Sequence, residues 1–236
     1  MSRHQRTALL IGEPAAERLA QARVLVLGVG GVGGAAAEML CRAGIRHLTL
    51  VDGDVIEESN CNRQLFATAE TIGMPKTQAA SMRLLAIDPD AELHCIQRFL
   101  TVEDIPALLA DPPDYAVDAI DCVPVKVAFL AECYRRQIPV ISAMGTGAKM
   151  DPESLRRADI SKTEQCALAR VVRRQLREQG ITRGISVIYS TEPAAGARVE
   201  STDAAGNRRN TTGTISYLPN LAGCHCAAAV IRDLIG

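Results

Sequence analysis

The chain has 236 residues, of which 47% are apolar, 3% are aromatic and none is tryptophan. That length suits one large domain, or one domain with an appended piece, whose core is built from Val, Leu, Ile and Ala. A formal net charge of −1 excludes a global field that would recruit nucleic acid or membrane, so any such contact must come from a local patch.

The chain opens on polar and basic residues, Met1 to Arg6, with no apolar stretch of signal-peptide length behind them. Glu13-Pro14 opens a short helix, because proline is tolerated in a first turn. Arg23 to Leu27 reads as a buried strand, and Gly28 to Gly34 as a glycine loop. Ala35 to Ala43 reads as a helix stopped by Gly44. A strand follows over His47 to Val51, then a helix over Lys76 to Ile87 and a strand over Leu93 to Ile96. Thr101 caps a helix over Val102 to Leu109. Tyr115 to Ile120 is a strand ending at Asp121, Val125 to Arg136 a helix and Val140 to Ala143 a strand. This alternation predicts an α/β, Rossmann-like fold: a mostly parallel sheet with helices on both faces.

After Gly145 the pattern changes. Leu168 to Leu176 predicts a basic amphipathic helix, Ile185 to Tyr189 a strand, and Ala194 to Gly213 a mobile loop. Leu221 to Ile235 closes as an apolar helix. Residues 1–145 are thus expected to form a nucleotide-binding domain. Residues 146–236 are expected to be a C-terminal part of the same unit, packed on it and contacting substrate. No apolar run reaches the roughly 20 residues of a membrane span. Eight cysteines, none in C-x-x-C and most in apolar stretches, suit buried free thiols in a reducing, cytoplasmic compartment.

Gly28, Gly30, Gly31 and Gly33 follow a strand and open a helix. Glycines there let the backbone approach a phosphate, and the helix N-terminus presents free N–H groups and a positive dipole end. Asp52 lies about 20 residues further on, where an acid takes ribose hydroxyls. These residues predict a nucleotide but do not choose between NAD and ATP.

The choice rests on the charges that follow. In a doubly wound sheet the carboxyl ends of the strands converge on one crevice. Hydride transfer needs no extra cations beside the phosphates, whereas a triphosphate does. Arg63 offers a planar fork and Lys76 a point charge. Asp121 could hold Mg²⁺ against phosphate oxygens. Each has a plainer reading, Arg63 as a surface ion pair and Asp121 as a helix cap. Lys76 at a helix start opposes the dipole, which makes a purely structural role less natural.

The motif G-x-G-G-V-G, the acidic D-G-D, S-N-C-N-R-Q, the later Lys76 and D-A-I-D-x-x-x-x-K together resemble the ThiF/MoeB-type adenylyltransferases, relatives of ubiquitin-activating enzymes, over about residues 3 to 145. The resemblance implies ATP binding at Gly28, Gly30, Gly31, Gly33, Asp52, Asp54, Asn60, Arg63, Gln64, Lys76 and Asp121, with Asp121 as the Mg²⁺ residue. It makes Arg63, Lys76 and Asp121 the catalytic set. It also implies a homodimer in which Arg6 reaches the partner's ATP. A monovalent cation is a further candidate ligand.

Members that activate sulfur-carrier proteins usually carry two C-x-x-C pairs for zinc. This chain has none, and Cys224-His225-Cys226 reads as buried thiols in a helix. The stretches Met150-Asp151-Pro152, Asp159 to Thr163, Cys166 to Arg170 and Val187 to Glu192 resemble the tRNA threonylcarbamoyladenosine dehydratase branch. That branch implies ATP-dependent activation of a threonyl carboxylate borne by tRNA, then ring closure with net loss of water. By analogy it cooperates with a cysteine desulfurase system. Adenylation of the C-terminus of a sulfur-carrier or ubiquitin-like protein is the alternative. Arg170, Arg173, Arg174 and Arg177 share one helix face by spacing. They are expected to contact the tRNA backbone, although such a run also suits a solvated face.

Overall fold

The computed structural model describes residues 2–195, 198–202 and 208–236. Seven strands form one sheet in the order β3-β2-β1-β4-β5-β7-β6. They are β1 (Arg23–Leu27), β2 (His47–Val51), β3 (Glu92–Ile96), β4 (Tyr115–Asp118), β5 (Val140–Ala143), β6 (Leu155–Asp159) and β7 (Ser186–Ser190). All neighbours run parallel except β6, which pairs antiparallel with β7. The C-terminal part therefore extends the sheet as well as packing on it.

The run Arg23-Val24-Leu25-Val26-Leu27 explains why β1 is central. Val24 and Val26 enter one apolar layer and Leu25 and Leu27 the other. A parallel strand covered on both faces needs such a continuous apolar run. The first layer is closed by helices α2 (Glu13–Gln21), α3 (Gly31–Ala43), α4 (Lys76–Ile87) and α8 (Tyr217–Ile235). The second is closed by α5 (Ile105–Leu108), α6 (Val123–Arg135) and α7 (Ala167–Glu178).

Several expectations are corrected. A helix α1 (Gln5–Ile11) precedes α2. No side chain caps it; it is anchored by Arg3 and His4, which reach the buried Asp88 carboxylate at 2.7 and 2.9 Å. Helix α3 begins inside the glycine loop, at Gly31 rather than Ala35. Helix α8 begins at Tyr217, four residues before its expected start, with Pro219 in the first turn where its missing N–H costs nothing. Strand β6 was not expected, because as an edge strand it carries charged side chains in place of a clean alternation. Within the stretch read as a mobile loop, β8 (Arg198–Thr202) and β9 (Arg208–Thr212) pair as an antiparallel hairpin. Residues 196–197 and 203–207 of that stretch lie outside the described residues.

Helices α3 and α8 cross very closely. A side chain at Gly223 of α8 would overlap the Val32 carbonyl and meet the Ala35 Cβ at 2.7 Å. Among the described residues, no helix is long and apolar enough to cross a membrane.

Candidate active site

The strand order reverses between β1 and β4, and there a cavity of about 870 Å³ opens at their carboxyl ends. Open α/β sheets bind ligands at such switch points. Gly28 (φ 88°) makes the turn, and a Cβ there would stand 2.9 Å from the Ala119 carbonyl. A Cβ at Gly33 would overlap the Gly28 carbonyl oxygen. The glycines thus admit the close approach of β1, β4 and the start of α3. With no side chain capping α3, its first amides remain open to an anion.

Asp52, after β2, holds this loop. Its Oδ2 accepts the Val29 N–H at 2.7 Å and its Oδ1 the Asp54 N–H at 2.9 Å. Both oxygens are already bonded to backbone, but each keeps a lone pair that a ribose hydroxyl could use. Asp54 pairs with Lys76, Oδ2 to Nζ 2.7 Å, which fixes a largely buried ammonium on the cavity wall. Asn60 is buried and closes a single helical turn, its side chain accepting the Glu57 N–H at 3.2 Å. Arg63 donates from one Nη to the Ser59 carbonyl and the Asn62 side chain, both at 2.8 Å. Its carbonyl accepts from Asn220 of α8 at 3.0 Å.

Gly28, Gly30, Gly31, Asp52, Asp54, Asn60, Arg63, Gln64, Lys76 and Asp121 all line this one cavity. Asp121 is exposed and sits in the loop between β4 and α6, because the strand ends at Asp118 rather than at Ile120. Arg6 is exposed on α1 and is not among the lining residues. Gly33 is buried in α3 behind the loop. Magnesium takes one or two carboxylates and completes its shell with phosphate and water. An exposed Asp121 at the mouth fits that demand. Among the described residues, no three His, Cys, Asp or Glu side chains converge to hold a metal unaided.

The sequence did not single out several other lining residues. Thr146 and Gly147 come from the segment after β5, Leu168 from α7, Thr212 and Thr214 from the segment before α8, and Pro219 from α8. Leu168 lies in the Cys166 to Arg170 stretch but was given no part in the site, and the others lie in no motif; only the tertiary fold brings them to the rim. Cys122 also lines the cavity. Cys61, Cys95 and Cys122 are exposed, against the expectation that most thiols are buried, while Cys41, Cys133, Cys166 and Cys226 are buried. Burial pushes the Cys226 thiol up to about 12, which suits an inert core residue.

The four arginines of α7 line a separate, shallow concavity of about 400 Å³. Arg170, Arg174 and Arg177 are exposed. Arg173 departs from the expected free face: its guanidinium donates to the Thr163 carbonyl at 2.7 Å and to the Thr163 hydroxyl, bracing the turn before α7. Leu168 at the start of this helix reaches the large cavity, so α7 runs outward from its rim.

A ThiF family model matches residues 2–236. The chain is 37% identical over 237 residues to the tRNA threonylcarbamoyladenosine dehydratase of Bacillus subtilis, covering 98% of this chain and 93% of that protein. It is also 37% identical over 228 residues to the Haemophilus influenzae protein of the same name, covering 92% of this chain and 87% of that one. The crystal structure of the Escherichia coli tRNA N6-threonylcarbamoyladenosine dehydratase in complex with AMP superposes with a TM-score of 0.89 at 29% identity, covering 99% of this chain and 94% of that one. The same enzyme in complex with ATP gives a TM-score of 0.88.

Proposed function

The chain belongs to the ThiF family, and on that premise we propose that it uses ATP to dehydrate threonylcarbamoyladenosine in tRNA. The observation that carries this reading is the convergence of the glycine loop, Lys76, Arg63 and Asp121 on one cavity at the switch point. Whole-length similarity to named dehydratases, one of them solved with ATP, supports the substrate.

The triphosphate lies over the start of α3, with the ribose toward Asp52. Arg63 and Lys76 neutralise the phosphates; the Lys76 ammonium carries three donors, so it can reach the ligand while keeping its contact with Asp54. Asp121 would hold Mg²⁺, which would supply positive charge beside the phosphates when bound. A threonyl carboxylate oxygen attacks the α-phosphorus and pyrophosphate leaves. The carbamoyl nitrogen then attacks the acyl carbon, loses its proton, and AMP departs with the former carboxylate oxygen. The protein contributes positioning and charge neutralisation and no covalent intermediate.

Arg170, Arg174 and Arg177 supply phosphate-backbone contacts to the tRNA outside the cavity; Arg173 acts by holding the turn before α7. A homodimer in which Arg6 completes the partner's cavity is part of this reading, and so are cytoplasmic residence and cooperation with a cysteine desulfurase system. A monovalent cation is to be varied in the assay.

The test is to incubate the protein with ATP, Mg²⁺ and threonylcarbamoylated tRNA, then digest and weigh the nucleoside. Loss of one water is expected, with one carboxylate ¹⁸O label appearing in AMP. An unchanged nucleoside mass, together with pyrophosphate exchange driven by a carrier protein, would overturn the reading in favour of carrier activation. Asp121→Ala is expected to remain folded and lose turnover; wild-type turnover would remove its metal role.

A further inference from the structure

Beneath the loop that carries Asp121 lies a charged pair to which no role has yet been assigned. Asp118 ends β4 and Lys126 lies in the first turns of α6; both side chains are fully buried, with Nζ 2.8 Å from Oδ2. The same oxygen accepts the Ser142 hydroxyl of β5 at 2.5 Å. Lys126 also donates to the Ile120 carbonyl at 2.9 Å, and Asp118 Oδ1 accepts the Ile120 N–H at 3.4 Å. Both backbone polar groups of Ile120 are therefore held by the pair, one residue before Asp121.

Stability alone does not account for this arrangement. Two buried charges incur a desolvation cost that their attraction often only offsets, and apolar replacements of similar size are frequently neutral or better. A cation near the start of α6 also opposes the helix dipole. What the pair provides is geometry. The turn it grips is clamped from the other side as well: the Ala119 N–H donates to the Leu27 carbonyl at 2.8 Å, and Gly28 packs against Ala119 and Ile120. Glycine loop and Asp121 loop are thereby locked to each other through residues 119–120.

We propose that Asp118 and Lys126 are positioning residues that hold the Asp121 loop in register with the phosphate-binding loop. This rests on the role given above to Asp121. The pair touches no substrate; it acts through Ile120.

The test is the double variant Asp118→Asn/Lys126→Met, which removes both charges without leaving one orphaned. In the ligand-free protein, hydrogen exchange of the Ala119–Cys122 amides is expected to quicken while exchange in β1 and α8 is unchanged. In the assay, kcat is expected to fall about 100-fold, the loss typical of an ångström-scale misplacement. KM for ATP is expected to be little changed, with half-maximal activity shifted to higher Mg²⁺. Wild-type exchange at Ala119–Cys122 together with wild-type Mg²⁺ dependence would overturn the proposal. If the double variant does not fold, Ser142→Ala decides, since it keeps both charges and removes one bond to Asp118. The same two shifts in smaller measure are expected, and their absence would overturn it. Asp121→Ala run alongside separates the two readings: if it alone is inactive, only the positioning proposal fails; if it is active, the role of Asp121 fails.

Discussion

Lys126 and Lys149 are both buried beside the same cavity, yet they are held in opposite ways. Lys126 pairs with the Asp118 carboxylate, which also accepts the Ser142 hydroxyl, and donates to the Ile120 carbonyl, in one closed network. Lys149 follows the Gly145–Gly147 stretch of the cavity wall and, among the described residues, donates to one acceptor, the Ser190 carbonyl at 2.8 Å. Burial holds its amine below the ordinary lysine value of 10.5, with Cys166 and Glu192 opposing. The difference teaches that a buried charge paired with a carboxylate ties several segments together, whereas one donating to a carbonyl is left with its desolvation cost less fully offset.

The comparison breaks most sharply at the paired site. Asp118→Ala leaves Lys126 charged, buried and without its carboxylate, and is expected to cost about 3–5 kcal/mol in denaturant unfolding. A loss below about 1 kcal/mol would mean the network contributes little. On the other side, Glu192 accepts the Met150 and Asp151 N–H groups, each at 2.8 Å, and so fixes the turn after Lys149. Glu192→Gln keeps one acceptor oxygen but loses the charge, and is expected to cost about 1–2 kcal/mol. Equal stability of variant and wild type in urea would contradict this. Smallest is Lys149→Met, expected near 1 kcal/mol at neutral pH because the Ser190 carbonyl loses its donor.

The last variant carries a second signature. Because the folded-state amine is shifted down, the unfolded chain binds more protons just below pH 10.5, and wild-type stability rises with pH across that interval. Lys149→Met is expected to remove that contribution to the rise. Parallel slopes for the two proteins in pH-dependent melting would show that Lys149 does not titrate on folding.

The first part of the chain was legible because each of its signals is local. Gly28 to Gly34 follows a strand and runs into a helix, and β1, β2 and α4 begin and end at the expected residues. The residues expected around ATP lie on successive strand ends, so topology brings most of them together without any knowledge of packing. Gly33 supports the loop from behind, and Arg6 stands off the cavity. The second part was less legible for the opposite reason. Strand β6 exists because β7 offers it an edge, and Arg173 is diverted by a carbonyl ten residues upstream. Lys126 was visible in D-A-I-D-x-x-x-x-K, and its place near a helix start was the available hint. Its burial against Asp118 depends on β5, which no local pattern encodes.

The close crossing of α3 and α8 bears on how the molecule is made. Pro219 of α8 forms part of the cavity wall, and Gly223 lets α8 sit directly on the helix that faces the phosphates. Residues 217–235 leave the ribosome about a hundred residues after Asp121, on the order of ten seconds later at ordinary synthesis rates. For that interval the nascent chain holds every expected ATP residue but lacks the helix that covers their support, leaving the apolar side of α3 open. Until α8 is made, the cavity lacks the part of its wall that Pro219 supplies.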